Sequence, residues 1–174
     1  EQFSLKRALN LSARYGLNNV LRLLLDKYHV DINARDRDGG TVLMHAVDGS
    51  NTSLETIRML LDHGADPNVK DKYGHTALEI VCFHSNTPLT VDLVYLLINY
   101  GANVNLSKLS VNPVTSAVVS KGEYSLEILN ILLQYKANPN KIILDIYNNL
   151  SNIKNQYYQI NKKPSDNILE IIKN

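Results

Sequence analysis

Apolar residues gather in four leucine-rich runs, Val20–Leu25, Ile57–Leu61, Leu93–Ile98 and Ile128–Leu133. Within each run they recur at helical spacing, which predicts four amphipathic helices. The same short polar phrase follows every run: HVDIN at 29–33, GADPN at 64–68, GANVN at 101–105 and KANPN at 136–140. The closing asparagines are 35, 37 and 35 residues apart. A period of this size marks a stacked array of small units rather than one globular core. An array presents a long surface in place of a single pocket, so binding is expected ahead of catalysis.

The second unit is the clearest. Asp36-Arg37-Asp38-Gly39 is a turn signal, and Thr41 stands where its hydroxyl can cap a short helix carrying Leu43 and Ala46. Asp48-Gly49-Ser50-Asn51 breaks that helix, and Leu54, Ile57, Leu60 and Leu61 line one face of the next. Gly64 then stops it as a C-cap residue. The third unit repeats the plan with Asp71-Lys72-Tyr73-Gly74, Thr76-Ala77-Leu78 and Gly101. The fourth is looser, with Ser107-Lys108-Leu109-Ser110, Pro113 and Ala117.

Turn, short helix, loop, longer helix and a Gly-Ala-Asp-x-Asn exit resemble the ankyrin repeat. The family pattern, Asp-x-x-Gly-x-Thr-Pro-Leu-His-x-Ala followed by Leu-Leu-Leu-x-x-Gly-Ala-Asp-x-Asn, covers roughly Leu5 to Asn140. The fold expected from the resemblance is an all-α ankyrin-repeat solenoid of stacked helix-turn-helix units, four repeats plus a degenerate C-terminal unit. It forms a single domain with units at about 1–35, 36–70, 71–106, 107–140 and 141–174. The motif histidine of the family falls on Asn10, Met44, Glu79 and Thr115, so its usual hydrogen-bond link between turns is missing or altered. The inter-helix loops at Asp48–Ser53, Phe83–Thr90 and Ser120–Tyr124 are lengthened. With the Asn/Ile/Tyr-rich composition, they give a resemblance to ankyrin proteins of large DNA viruses of the poxvirus type. Bacterial effector ankyrin scaffolds are the alternative source.

After Asn140 the stripe Ile142, Ile143, Ile146, Leu150, Ile153, Tyr157 and Ile160 is helical, and Ser165 opens a second apolar run ending in Ile171 and Ile172. This reads as a degenerate fifth unit. Poxvirus-type ankyrins often carry a C-terminal F-box-like segment, and Ile142–Asn174 shows no clear one. A ubiquitin-ligase link is expected only through segments outside this chain.

Composition narrows the function classes. A net charge of +1 gives no bulk attraction to nucleic acid, and no apolar stretch approaches a bilayer-spanning length. The single cysteine, Cys82, excludes an intrachain disulfide and a cysteine zinc cluster. No glycine-rich phosphate loop occurs, so no cofactor is expected. The five histidines lack metal-ligand spacing, and His45 is expected to be packed in the core. Cys82 and His84 invite a nucleophile–base reading, but residues two apart do not share a helix face. The chain is expected not to be an enzyme.

The resemblance places partner recognition on the finger tips and the inner short helices. By motif position the variable finger residues are Arg37, Asp38 and Gly40, then Lys72, Tyr73 and His75, then Lys108, Leu109 and Val111, flanked by Arg35 and Lys70. This ridge favours an acidic protein partner. A nucleic-acid or nucleotide sensor using the ridge is the disfavoured alternative. Phe83 is either a core plug or an exposed contact. By the same resemblance Asn33, Asn68, Asn105 and Asn140 are candidates for a host asparaginyl hydroxylase, against the plainer reading that they hydrogen-bond within their turns. The expected partner is a host protein, with a role in host range or immune evasion in the cytoplasm or nucleus.

Overall fold

The computed structural model describes residues 2–106, 112–120 and 122–138. Among the described residues lie eight helices and no strand. They are α1 (Gln2–Arg14), α2 (Asn18–Asp26), α3 (Val42–Val47), α4 (Leu54–Asp62), α5 (Ala77–Phe83), α6 (Pro88–Asn99), α7 (Pro113–Ser120) and α8 (Ser125–Gln134). Each odd-numbered helix packs against the helix after it as a pair. The pairs stack: α1 lies on α3, α3 on α5 and α5 on α7, while α4 lies on α6 and α6 on α8. The result is the all-α solenoid expected from the repeat. The expected fifth unit at 141–174 lies outside the described residues.

Local chemistry explains where the helices begin. Thr41 and Thr76 are extended N-caps whose hydroxyls accept from Met44 N and Glu79 N. Ser53 caps α4 in the same way through Thr56 N. In α7 the cap is Asn112, whose side-chain oxygen accepts from Thr115 N at 2.9 Å, with Pro113 at the first helical position. Small side chains let the inner helices approach closely. Ala13, Ala46 and Ala117 are wholly buried, in one core that runs from Leu9 to Ala137.

The outer helices α4, α6 and α8 end alike. Gly64, Gly101 and Lys136 take positive φ of 87°, 88° and 60°. The following alanines donate back to Leu60 O at 3.0 Å, and to Leu97 O and Leu132 O at 2.9 Å each. This paired return of N–H groups satisfies carbonyls that a helix end otherwise leaves open.

Candidate functional site

Among the described residues, the fingers of the second and third units are each organised by an aspartate. In the second unit Asp36 Oδ1 accepts from the N–H groups of Asp38 and Gly40, both at 2.8 Å. Its other oxygen meets His45 Nε2 at 2.7 Å. Burial alone would raise the Asp36 pKa, but the His45 contact and the two N–H bonds outweigh it and the net shift is downward. His45 is therefore not simply a packed core histidine. It is half-buried and ties the finger to the last turn of α3. In the third unit Asp71 Oδ1 accepts from Tyr73 N at 2.9 Å and His75 N at 2.8 Å, and its Oδ2 lies 3.3 Å from His75 Nδ1.

Basic side chains join successive units through backbone carbonyls. Lys6 Nζ donates to Arg35 O at 2.8 Å, the Arg35 guanidinium to Lys70 O, and Lys70 Nζ to Leu106 O at 3.0 Å. Lys72 pairs with Asp38, and its ammonium sits 4.8 Å from the centroid of the Tyr73 ring. The Asp38 contact, then the Tyr73 contact, raises the Lys72 pKa. Of the ridge expected to meet an acidic partner, Arg35, Lys70 and Lys72 are thus engaged within the chain. Arg37 is exposed, and Tyr73 is 64% exposed. Lys108, Leu109 and Val111 lie outside the described residues.

The repeat-exit asparagines form a second ladder. Asn33 Nδ2 donates to Gly64 O at 3.0 Å while its Oδ1 accepts from Asp66 N at 2.8 Å. Asn68 does the same to Gly101 O and Asn103 N, and Asn105 to Lys136 O and Asn138 N. The side chains therefore reach the next unit rather than closing their own turns. The within-turn bond belongs to the residue two before, as in Asp66 Oδ1 accepting from Asn68 N at 2.8 Å. Asn140 lies outside the described residues.

Between α5 and α7, at the finger side, is a pocket of about 420 Å³. It is lined by the apolar Ile80, Phe83 and Val119, by His75, His84 and Asp48, and by Glu79, Thr115 and Ser116. Phe83 is 53% exposed, so it lies at the surface and does not plug the core.

Comparison with known proteins follows the same architecture. The sequence matches the family described as "Ankyrin repeats (3 copies)" over residues 4–71 and 43–143. The chain belongs to the ankyrin repeat family. Two relatives are ankyrin repeat proteins of Acanthamoeba polyphaga mimivirus. One is 30% identical over 72% of this chain and 25% of its own length, the other 32% identical over 71% and 20%. A third, from Rickettsia felis, is 35% identical over 53% of this chain and 42% of its own length. This ankyrin array thus spans a quarter or less of the two viral relatives it matches. No described helix is long and apolar enough to cross a membrane.

The ankyrin frame also accounts for the residues that suggested chemistry. Cys82 is wholly buried, and burial raises its thiol pKa, which disfavours the thiolate form a nucleophile needs. The neighbouring His84 turns away to Asp48, with Nε2 3.3 Å from Oδ1. The inter-helix loops are tied to one another. Asn51 Nδ2 donates to Tyr15 O at 3.2 Å, and Ser85 Oγ lies 2.8 Å from Ser125 Oγ, with Ser120 as the third member of the cluster.

Sequence reasoning missed Glu79. It is 2% exposed, and its Oε2 accepts from Thr76 N at 2.5 Å while Thr76 accepts from Glu79 N. The signal was present, since Thr76-x-x-Glu79 is a capping-box spacing. The change at the motif-histidine position thus replaces a link between turns with a local helix cap.

Proposed function

We propose that this ankyrin array is a non-catalytic protein-binding module that recognises its partner with the finger tips and inner helices. The observation that carries the reading is the contrast between frame and surface. The polar groups of the two described fingers are bonded to one another and to the next unit, yet that frame exposes Tyr73, Phe83, Val119 and Leu11. Ordered aromatic side chains on a pre-organised scaffold are efficient anchors, because little freedom is lost on binding.

The partner in this reading is a host-cell protein, and the role is interference with host defence or host range from the cytoplasm or nucleus. Relatives in a large DNA virus and in Rickettsia support it. The finger set is Arg37, Asp38, Lys72, Tyr73 and His75, extended by Lys108 and Leu109, with Phe83 beside it. Intramolecular use of Arg35, Lys70 and Lys72 shifts the weight from charge attraction to aromatic contact. Hydroxylation of Asn33, Asn68 and Asn105 belongs to the same proposal. Their amides are committed to the ladder, so a hydroxylase must take a locally opened turn. Asn140 is the fourth candidate.

Affinity capture from host-cell lysate tests the reading. The wild type is compared with a variant carrying alanine at Arg37, Lys72, Tyr73 and Lys108. Loss of specific proteins from the variant is expected. Recovery of the same set by both removes the finger ridge as the docking surface.

A further inference from the structure

We propose that the pocket between α5 and α7 is an anchor site for an arginine side chain presented by a protein partner. The inference rests on the protein-binding reading and names the chemistry it recognises. Four features of the pocket converge on that occupant.

The first is size and shape. At about 420 Å³ the pocket is near the lower end of ligand-sized clefts, roughly 300–1,000 Å³. It has apolar walls from Ile80, Phe83 and Val119 that suit an aliphatic stem.

The second is unsatisfied polarity in its lining. Glu79 is almost wholly buried, and only Oε2 is used, by Thr76 N. Its Oε1 is buried and has no hydrogen-bond partner among the described residues, and the same holds for Thr115 Oγ1. A buried acceptor without a donor is costly, so an arriving N–H group is rewarded. Guanidinium brings five donors in a fixed planar fork and pairs well with a carboxylate.

The third is charge. The lining includes the carboxylates of Asp48 and Glu79 and no Lys or Arg; Asp48 is met by the lining His84, which leaves Glu79 as the carboxylate for the guest. The fourth is Phe83, whose ring is half exposed at the pocket and meets His84 edge-on at 5.6 Å between centroids. Arginine stacks on an aromatic face in a way that lysine does not match. Because Glu79 Oε1 is covered by its neighbours, the guest reaches it by side-chain rearrangement in the lining.

The test uses small probes and the whole chain. Backbone amide NMR spectra are recorded during titration with N-acetyl-arginine amide, and separately with the norleucine and glutamate analogues. Saturable shifts at Glu79, Thr115 and Ser116 are expected with the arginine probe. The norleucine probe is expected to bind at least five-fold more weakly. Glu79→Gln preserves side-chain volume and the capping oxygen, and is expected to weaken the arginine probe at least five-fold while far-UV circular dichroism stays native. Phe83→Ala provides a second variant remote from the cap and is expected to weaken the same probe. Equal binding of the arginine and norleucine probes, unchanged binding to both variants, or no shift in α5 and α7 overturns the proposal. Lysate capture that succeeds while the probes fail leaves the protein-binding reading standing without this anchor.

Discussion

The side-chain amide of Asn68 donates to Gly101 O at 2.9 Å, and its oxygen accepts from Asn103 N at 2.8 Å. One residue thus joins two units at the point where the outer helix of the next unit ends. Asn68→Ala is expected to cost about 1–3 kcal/mol, two hydrogen bonds at their usual net worth. Asn68→Asp keeps the acceptor but sets an oxygen against the Gly101 carbonyl, so it is expected to be no milder. Urea unfolding reads both. A shift below about 0.3 kcal/mol for the alanine variant, within ordinary surface scatter, removes the ladder as a stabilising device.

Gly64 and Lys136 occupy the same left-handed position in their units, at φ 87° and 60°. A Cβ added at Gly64 would meet nothing within 4 Å, so the cost of Gly64→Ala is backbone strain alone, about 1 kcal/mol. Lys136 bears that strain already, and Lys136→Gly is expected to stabilise by about 0.5–1 kcal/mol. Opposite shifts in melting temperature are the signature. Shifts of the same sign contradict the assignment of both residues to one cap geometry.

Much of the fold was legible because each unit repeats its own punctuation. Gly64 and Gly101 marked helix ends, Thr41 and Thr76 marked helix starts, and the leucine spacing supplied the core face. What could not be read was how one unit meets the next. Asn68 looked like a residue of its own turn until stacking placed the Gly101 carbonyl within reach. Arg35 and Lys70 looked like free charge, although both precede a finger aspartate, and only the stacking offset reveals the carbonyl each one finds. His45, expected to be packed in the core, is only half-buried. Its ring nitrogen finds Asp36 across the finger, nine residues back. Glu79 was legible as a cap and overlooked. Its place in a pocket lining depends on α7, which no local pattern supplies.

His63 links two outer helices, with Nε2 2.9 Å from Asp26 Oδ1 and Nδ1 2.7 Å from Met59 O. Both nitrogens face acceptors, which favours the doubly protonated ring. The Asp26 contact first, and the Met59 carbonyl second, raise its pKa above 6.5. A histidine pKa raised by folding adds stability that is complete below the unfolded value near 6.5. That stability is lost as pH rises through the higher folded value. The gain is expected to stay below about 1 kcal/mol because Asp26 is half exposed. Asp26→Asn is expected to flatten stability between pH 6 and pH 8 (chosen to bracket the ~6.5 reference value). An unchanged pH slope in that variant assigns the dependence elsewhere.

Gly122 sits against the neighbouring loop, where an added Cβ would fall 2.1 Å from Ser85 O and 2.5 Å from Ser85 C. The same carbonyl accepts from Tyr124 N at 3.0 Å. Gly122→Ala is expected to cost at least ~1–3 kcal/mol, as overpacking against backbone does. Loss of amide-exchange protection is expected at the start of α8 before it appears in α4. Uniform loss across the array contradicts a local clash.

Glu79 carries the sharpest pH test of the site. Burial raises its pKa above 4.5, and the Thr76 hydrogen bonds only partly offset this. For a carboxyl raised by folding, the unfolded chain gives up its proton at lower pH than the folded chain. The folded state is therefore most favoured below the unfolded value, and it loses stability as pH rises from there through the folded value. Glu79→Gln retains an oxygen for the Thr76 N–H and has no charge to bury. Its stability relative to wild type is expected to improve between pH 4 and pH 7.5 (an interval spanning the ~4.3 reference value), read from melts at both ends. A difference that does not change with pH means that the carboxylate is solvated, and the donor-seeking pocket loses its basis with it.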